Sequence, residues 1–189
     1  MVFKGMDSPV VNDNTLKQEK EKPNRELMGY IRAGLAYLDR YGGPRARIKR
    51  TLERRARRKG LENDAAQQIV AAAMLQLDQL NIIDDAAFAS GKAAALRRRG
   101  ASQRQTLAKL VASGIEKDLA SQALDEFDSR SDEDAELAAA QRYAQRRRLG
   151  PWRLDQDTRV EKRDRDIAAL ARAGFAVRLS ISIIDGEEN

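Results

Sequence analysis

Two consecutive aspartates, Asp84 and Asp85, open the stretch Ile83-Asp84-Asp85-Ala86-Ala87-Phe88. Paired carboxylates among apolar neighbours are the residue types from which an acid/base or metal site could be built. Such a site needs further convergent groups, and the chain has no histidine and no cysteine. That excludes disulfides, Cys/His zinc sites and any nucleophile activated by histidine. Neither a G-x-x-x-x-G-K-[ST] loop nor a G-x-G-x-x-G segment occurs, so nucleotide binding has no motif either. Helix capping explains the aspartates more simply. Asp84 at an N-cap accepts from the N–H groups two or three residues on, and Asp85 places negative charge at the positive end of the helix dipole. Ile83 and Phe88 then hold the two positions of a hydrophobic staple. The expectation is a chain with no catalytic residue, no metal and no cofactor, and a hydrolase built on Asp84 and Asp85 is the competing reading.

The cations carry the stronger signal. Lysine and arginine number 35 against 29 acidic residues, a net charge of +6, and they cluster. One group is Arg50, Arg54, Arg57 and Arg58; a second is Lys92, Arg97, Arg98, Arg99, Arg104 and Lys109; a third is Arg146, Arg147, Arg148, Lys162 and Arg163. Acidic residues gather instead between 116 and 136. A basic stripe that recurs along the chain can follow a phosphate backbone or the acidic face of a protein. The plainer alternative is a solvated helical surface whose arginine-rich C-termini serve the helix dipole. Aromatic residues are only 5% of the chain, so stacking on single-stranded bases is not indicated.

The elements that must position these residues read as helices. Residues 1–24 are charged, polar and without periodicity, and a disordered tail is expected there. From Arg25 onward apolar residues recur at helical spacing. Leu27, Ile31, Leu35 and Leu38 make a first stripe, ended by Gly42-Gly43, and Pro44 suits the first turn of a second helix carrying Ile48, Leu52 and Ala56. A third helix uses Ile69, Val70, Ala73, Leu77 and Leu80. The central stretch repeats the scheme: a helix ending at Gly100, a second with Leu107, Leu110 and Val111 ending at Gly114, and a third over about 116–127. Leu110 and Ile115 take the paired positions of a Schellman cap. A seventh helix with Leu137, Ala140, Tyr143 and Ala144 should stop at Gly150, where Pro151 allows only the simpler cap. Trp152 is expected to plug the core beside it. The eighth helix uses Val160, Ile167, Leu170 and Ala171, and ends at Gly174. In the last segment Val177, Leu179, Ile181 and Ile183 alternate as in a strand. Register after Gly60, Gly114 and Gly174 argues for helix, because Val70, Leu124 and Ile184 fall at matching positions; helix is the reading taken. The chain is thus expected to be all-α: three tandem three-helix repeats over 25–82, 83–130 and 131–186, forming an elongated curved solenoid.

Residues 80–89, Leu80-Asn81-Ile82-Ile83-Asp84-Asp85-Ala86-Ala87-Phe88-Ala89, followed by Arg97-Arg98-Arg99-Gly100 and Leu110-Val111-Ala112-Ser113-Gly114-Ile115, resemble the RecX regulatory proteins, bacterial modulators of the RecA recombinase. The resemblance extends from Leu27 to Ile184 and includes Lys162-Arg163-Asp164 through Ala173-Gly174-Phe175. Asn81 and Ser102 depart from it, standing where glycine is common. It implies a non-enzymatic protein that binds the RecA–single-stranded DNA filament and inhibits its ATPase, strand exchange and recombination activity, limiting the SOS response; a monomer is expected. Single-stranded DNA is the implied nucleic acid, with duplex a weaker partner. No apolar run approaches a membrane span and no signal-peptide core is visible, so a cytoplasmic place is expected. The alternative is a helix-turn-helix transcription regulator reading bases with Gln103, Arg104 and Gln105.

Overall fold

The computed structural model describes residues 25–130, 134–155 and 157–186, and among these the chain is all α-helical. The helices are α1 (Arg25–Tyr41), α2 (Arg45–Arg58), α3 (Asn63–Gln79), α4 (Asp85–Arg98), α5 (Gln103–Ser113), α6 (Lys117–Asp128), α7 (Ala135–Arg147), α8 (Thr158–Arg172) and α9 (Val177–Asp185). A short 3-10 turn, Gly150–Trp152, separates α7 from α8. The expected disordered tail, 1–24, and residues 131–133 lie outside the described residues.

Glycine followed by an apolar residue is what ends these helices. At Gly60, Gly100, Gly114 and Gly174 the glycine N–H returns to the carbonyl three residues back, and the next N–H to the carbonyl five residues back. That pair of bonds is the Schellman motif, and it satisfies carbonyls that would otherwise be orphaned. Ile115 and Leu110 meet in this way, as their spacing predicts. The seventh helix differs. Its cap forms two residues early, on Arg148 (φ +54), with Leu149 N–H bonded to the Ala144 carbonyl at 2.9 Å. The expected simple cap at Gly150 is therefore replaced by a full one on a non-glycine residue, a conformation costing roughly 1–2 kcal/mol. Gly150 serves elsewhere: it is buried, and a Cβ there would lie 3.0 Å from the Ile184 backbone.

Three apolar cores follow in chain order. Tyr30, Ile48, Leu52, Val70 and Leu77 lead the first, between α1, α2 and α3. The second, between α4, α5 and α6, is built on Ala89, Ala93, Leu110, Ile115 and Ala120. Ala140, Ala144, Leu170, Phe175 and Ile184 lead the third. Its final segment is helical, and the buried residues are Ser180, Ile183 and Ile184, at spacings of three and one, whereas Val177 and Ile181 are exposed. The alternation was a property of composition, not of a strand. Trp152 packs against this third core. Four expected apolar-face residues do not: Leu35, Leu80, Val111 and Val160 are exposed, Val160 by 84%. The staple also divides, since Ile83 packs with the first core and Phe88 with the second. Pro44 precedes α2 as its extended N-cap residue rather than joining its first turn.

The same contacts join each set of three helices to the next. Gly114, ending α5, sits so close to α2 that a Cβ would lie 2.5 Å from Ala46 Cβ, and the neighbouring Ser113 carbonyl accepts from Arg50 Nη2 at 3.2 Å. Gly174, ending α8, abuts Ser102 at the head of α5, and the Ala173 carbonyl accepts from Ser102 Oγ at 2.7 Å. A second contact also recurs. The first N–H of α2, on Arg45, donates to Asp85 in α4, and the first N–H of α5, on Gln103, donates to Glu136 in α7. The side chains of Arg45 and Gln103 reach Asp78 and Asp128, at the ends of α3 and α6.

One buried carboxylate holds the third set together. Asp166 accepts from Arg153 Nε and Nη2 at 2.7 and 2.6 Å and from the Gly150 N–H at 2.9 Å. Burial pushes its carboxyl up, but the Arg153 fork and the Gly150 N–H outweigh burial and hold it below the ordinary carboxylate range. A depressed folded value means the contribution is present above the unfolded carboxyl's pKa and is lost as pH falls through the folded one. Asp166→Asn is expected to cost about 1.5–3 kcal/mol at neutral pH, the range for a hydrogen bond to a charged group. The difference in thermal midpoint from the parent should shrink steadily below about pH 4; a pH-independent difference would contradict the assignment.

Candidate nucleic-acid interface

On α2 the buried residues Ile48, Leu52 and Ala56 stand four apart, which turns one narrow face inward and leaves the rest to solvent. That remainder is almost wholly cationic. Arg47, Arg50, Arg54, Arg57 and Arg58 are exposed along it. Where α2 meets α4 and α5 the cations of two sets converge on Ser113. Arg50 donates to its carbonyl, Lys92 Nζ donates to its hydroxyl, and that hydroxyl donates to the Lys109 carbonyl at 2.7 Å. Burial, then the charges of Arg47 and Lys109, lower the Lys92 pKa from its ordinary value. Lys92 also stands 5.4 Å from the centre of the Phe88 ring. Among the described residues none of Arg47, Arg50, Lys92 and Lys109 has a carboxylate within ion-pair distance. Four like charges held together without counter-charge favour an anion, and phosphate oxygens suit lysine and arginine donors alike.

Arg98, Arg99, Arg104, Arg146, Arg147 and Arg148 are exposed as well. Arg146 and Arg147 lie against Tyr143, whose ring meets Phe175 edge-on, and Arg98 lies against Phe127. Arg104 stands beside Gly174 at the second junction. Three expected members of the stripe are engaged otherwise. Arg97 is only 1% exposed: its guanidinium grips Asp128 at 2.8 and 3.0 Å, Glu136 at 2.6 Å and the Ala101 carbonyl at 2.8 Å. It fastens α4 to α6 and α7 and presents nothing to a partner. Arg163 forks onto Asp185 at 2.7 and 2.6 Å, tying α8 to α9, and Lys162 pairs with its neighbour Glu161. The stripe thus weakens in the third set and is strongest at the first junction.

A signal for Arg97 was present in the sequence. Ala89, Ala93 and Arg97 stand four apart, so the arginine continues the buried stripe of α4. Ser113 gives no such signal in the sequence, because only the packing of α2 on α5 brings it to the cluster.

The aspartates are capping groups. Asp84 accepts from the Ala87 N–H at 2.8 Å, and Asp85 accepts from the Arg45 N–H at 2.8 Å, capping a helix of the preceding set. Asn81 adopts φ +50, the glycine-like conformation its position requires, and Ser102 caps α5 by accepting from the Gln105 N–H. The head of α5 is unsuited to reading bases. Gln103 is held by Asp128 and Glu136, and Ser102 is buried under Ala173. Among the described residues no three His, Cys, Asp or Glu side chains gather as a metal site, and no helix is long and apolar enough to cross a membrane.

Three helical cores in series, with exposed cations along them, make this an all-helical protein of the regulatory rather than the visibly catalytic kind. The particular family is the RecX regulatory proteins, to which this chain belongs. It is 35% identical over 179 residues to Regulatory protein RecX of Myxococcus xanthus (strain DK1622), covering 92% of this chain and 94% of that one. Identity to Regulatory protein RecX of Chlorobaculum tepidum is 30% over 149 residues, covering 77% and 84%. The same protein of Amycolatopsis mediterranei (strain U-32) is 29% identical over 145 residues, 76% of each chain. No family model and no solved structure matches the chain. A regulatory role follows from this membership.

Proposed function

We propose that this protein binds the RecA–single-stranded DNA filament and restrains its growth, ATP hydrolysis and strand exchange, acting by occupancy and without catalysis of its own. The observation that carries the reading is the unpaired cluster of Arg47, Arg50, Lys92 and Lys109 at the first junction. In this reading the units 25–82, 83–130 and 131–186 are successive repeats of an elongated, curved stack. The basic seam follows DNA phosphates while the repeats reach successive filament subunits. Single-stranded DNA within the filament is the preferred nucleic acid, duplex the weaker one, and the site of action is the cytoplasm. A single chain suffices for the contact.

Each cation that neutralises a phosphate releases a condensed counterion, so affinity falls with salt in proportion to the number of contacts. Arg47→Ala and Lys109→Ala change exposed side chains and should leave the fold intact. Each is expected to lower the magnitude of the log–log salt slope for binding to the filament by about 0.7, the single-strand value per phosphate. Fluorescence anisotropy of labelled single-stranded DNA, with and without RecA, reads this directly. Slopes identical to the parent's would place the DNA contact elsewhere. Binding to bare duplex tighter than to the filament would remove the filament from the account.

A further inference from the structure

We propose that a second copy of this chain stacks head to tail on the first, its α1–α3 set following α7–α9 as α4–α6 follows α1–α3. The proposal rests on the internal joints alone and is independent of RecA.

At each internal joint a glycine ending the middle helix of one set lies against the head of the middle helix of the set before. Gly114 does so on Ala46, and Gly174 on Ser102. Gly60 ends α2 in the same conformation, with φ +73 and two matching hydrogen bonds, yet a Cβ there would meet nothing within 4 Å. It has the joint's shape and meets no partner surface among the described residues. The complementary half is the head of α8, which no set among the described residues covers. Asp157 precedes that helix without a side-chain cap bond, and the flanking apolar residues Leu154 and Val160 are 80% and 84% exposed. Large apolar side chains bared beside a helix start are what a further set of helices would cover.

Charge agrees with this pairing. Arg57, Arg58 and Lys59 are exposed around Gly60, and Asp155 and Asp157 are exposed around the head of α8, where the cations Arg153 and Lys162 are already paired with Asp166 and Glu161. The second internal contact also has its counterpart. Glu136, second residue of α7, accepts from the first N–H of α5. Glu26 is the second residue of α1, and it lies 3.7 Å from Lys59, at the Gly60 end. An incoming copy therefore brings Glu26 to the head of α8 as Glu136 comes to the head of α5. A joint of this kind is heterologous and does not close on itself, so it yields open chains of copies rather than a dimer.

Sedimentation velocity of the full chain, without RecA or DNA, from about 1 μM to about 1 mM covers the range of weak association. The weight-average coefficient should rise throughout without a plateau at dimer, and less at high salt. L154D/V160D blocks the α8 end and R58E/K59E the Gly60 end, all at exposed positions. Each variant alone should remain monomeric, and an equimolar mixture should form dimers and nothing larger. A monomer throughout, a plateau at dimer, or growth unaffected by either variant would overturn the proposal.

Discussion

Arg97→Met should lower stability by about 3 kcal/mol, the lower end of the range for removing one partner of a buried ion pair. Methionine fills a similar volume but leaves Asp128 without its two guanidinium bonds and Glu136 without its shortest. Their side chains are 12% and 23% exposed, so water relieves part of the penalty, which selects the lower end. With a urea slope of about 1–3 kcal/mol per molar, the midpoint falls by roughly 1–3 M. Arg97→Lys should recover little, because an ammonium cannot fork onto Asp128 and reach Glu136 together. Adding Asp128→Asn and Glu136→Gln to Arg97→Met should restore part of the loss, since no charge then remains stranded. A midpoint shift below about 0.3 M for Arg97→Met, less than about 1 kcal/mol, would show that the guanidinium is not interior.

Gly100→Ala and Gly60→Ala make the second test, because their backbones match and their surroundings do not. The φ angles are +78 and +73, so both alanines suffer the same left-handed strain, about 1 kcal/mol. At Gly60 nothing else changes. At Gly100 the new methyl would lie 2.7 Å from the Tyr143 nitrogen and 2.9 Å from the Ala139 carbonyl oxygen. These are backbone atoms of α7 and cannot rotate aside, so α4 and α7 must separate. Overpacking of this kind adds about 1–3 kcal/mol. Denaturation should therefore place Gly100→Ala about 1–3 kcal/mol below Gly60→Ala. Equal losses would mean that the second and third sets are not in close contact.

Local rules made most of the fold legible. Asp84 as a cap and the Schellman pair Leu110–Ile115 each depend on residues close in sequence. Such signals survive without tertiary information because their energetics are local. The helical reading of 177–185 rests instead on register with the glycines of the earlier sets, against the local alternation. The misreadings have one common cause. Val160, Leu80 and Val111 looked like core residues because an apolar side chain at helical spacing does not say which set of helices it faces. Arg97 and Arg163 looked like surface residues because their acidic partners lie 22 to 39 residues further along. Arg148 took the cap expected at Gly150 because Gly150 was required where α9 passes and where its N–H meets Asp166. The cationic composition of the surface was legible. The meeting of Arg50 and Lys92 on Ser113, with the charges of Arg47 and Lys109 close to Lys92, was not, since it exists only once α5 is docked on α2.

ATP hydrolysis by the cognate RecA on single-stranded DNA, titrated with the full chain, tests the filament reading most directly. The account predicts inhibition at well under one chain per RecA, and a shift to higher concentration when Arg47 and Lys109 are both replaced by alanine. Unchanged hydrolysis across the titration, together with tight, sequence-selective binding to duplex DNA, would contradict it and make the protein a direct reader of DNA.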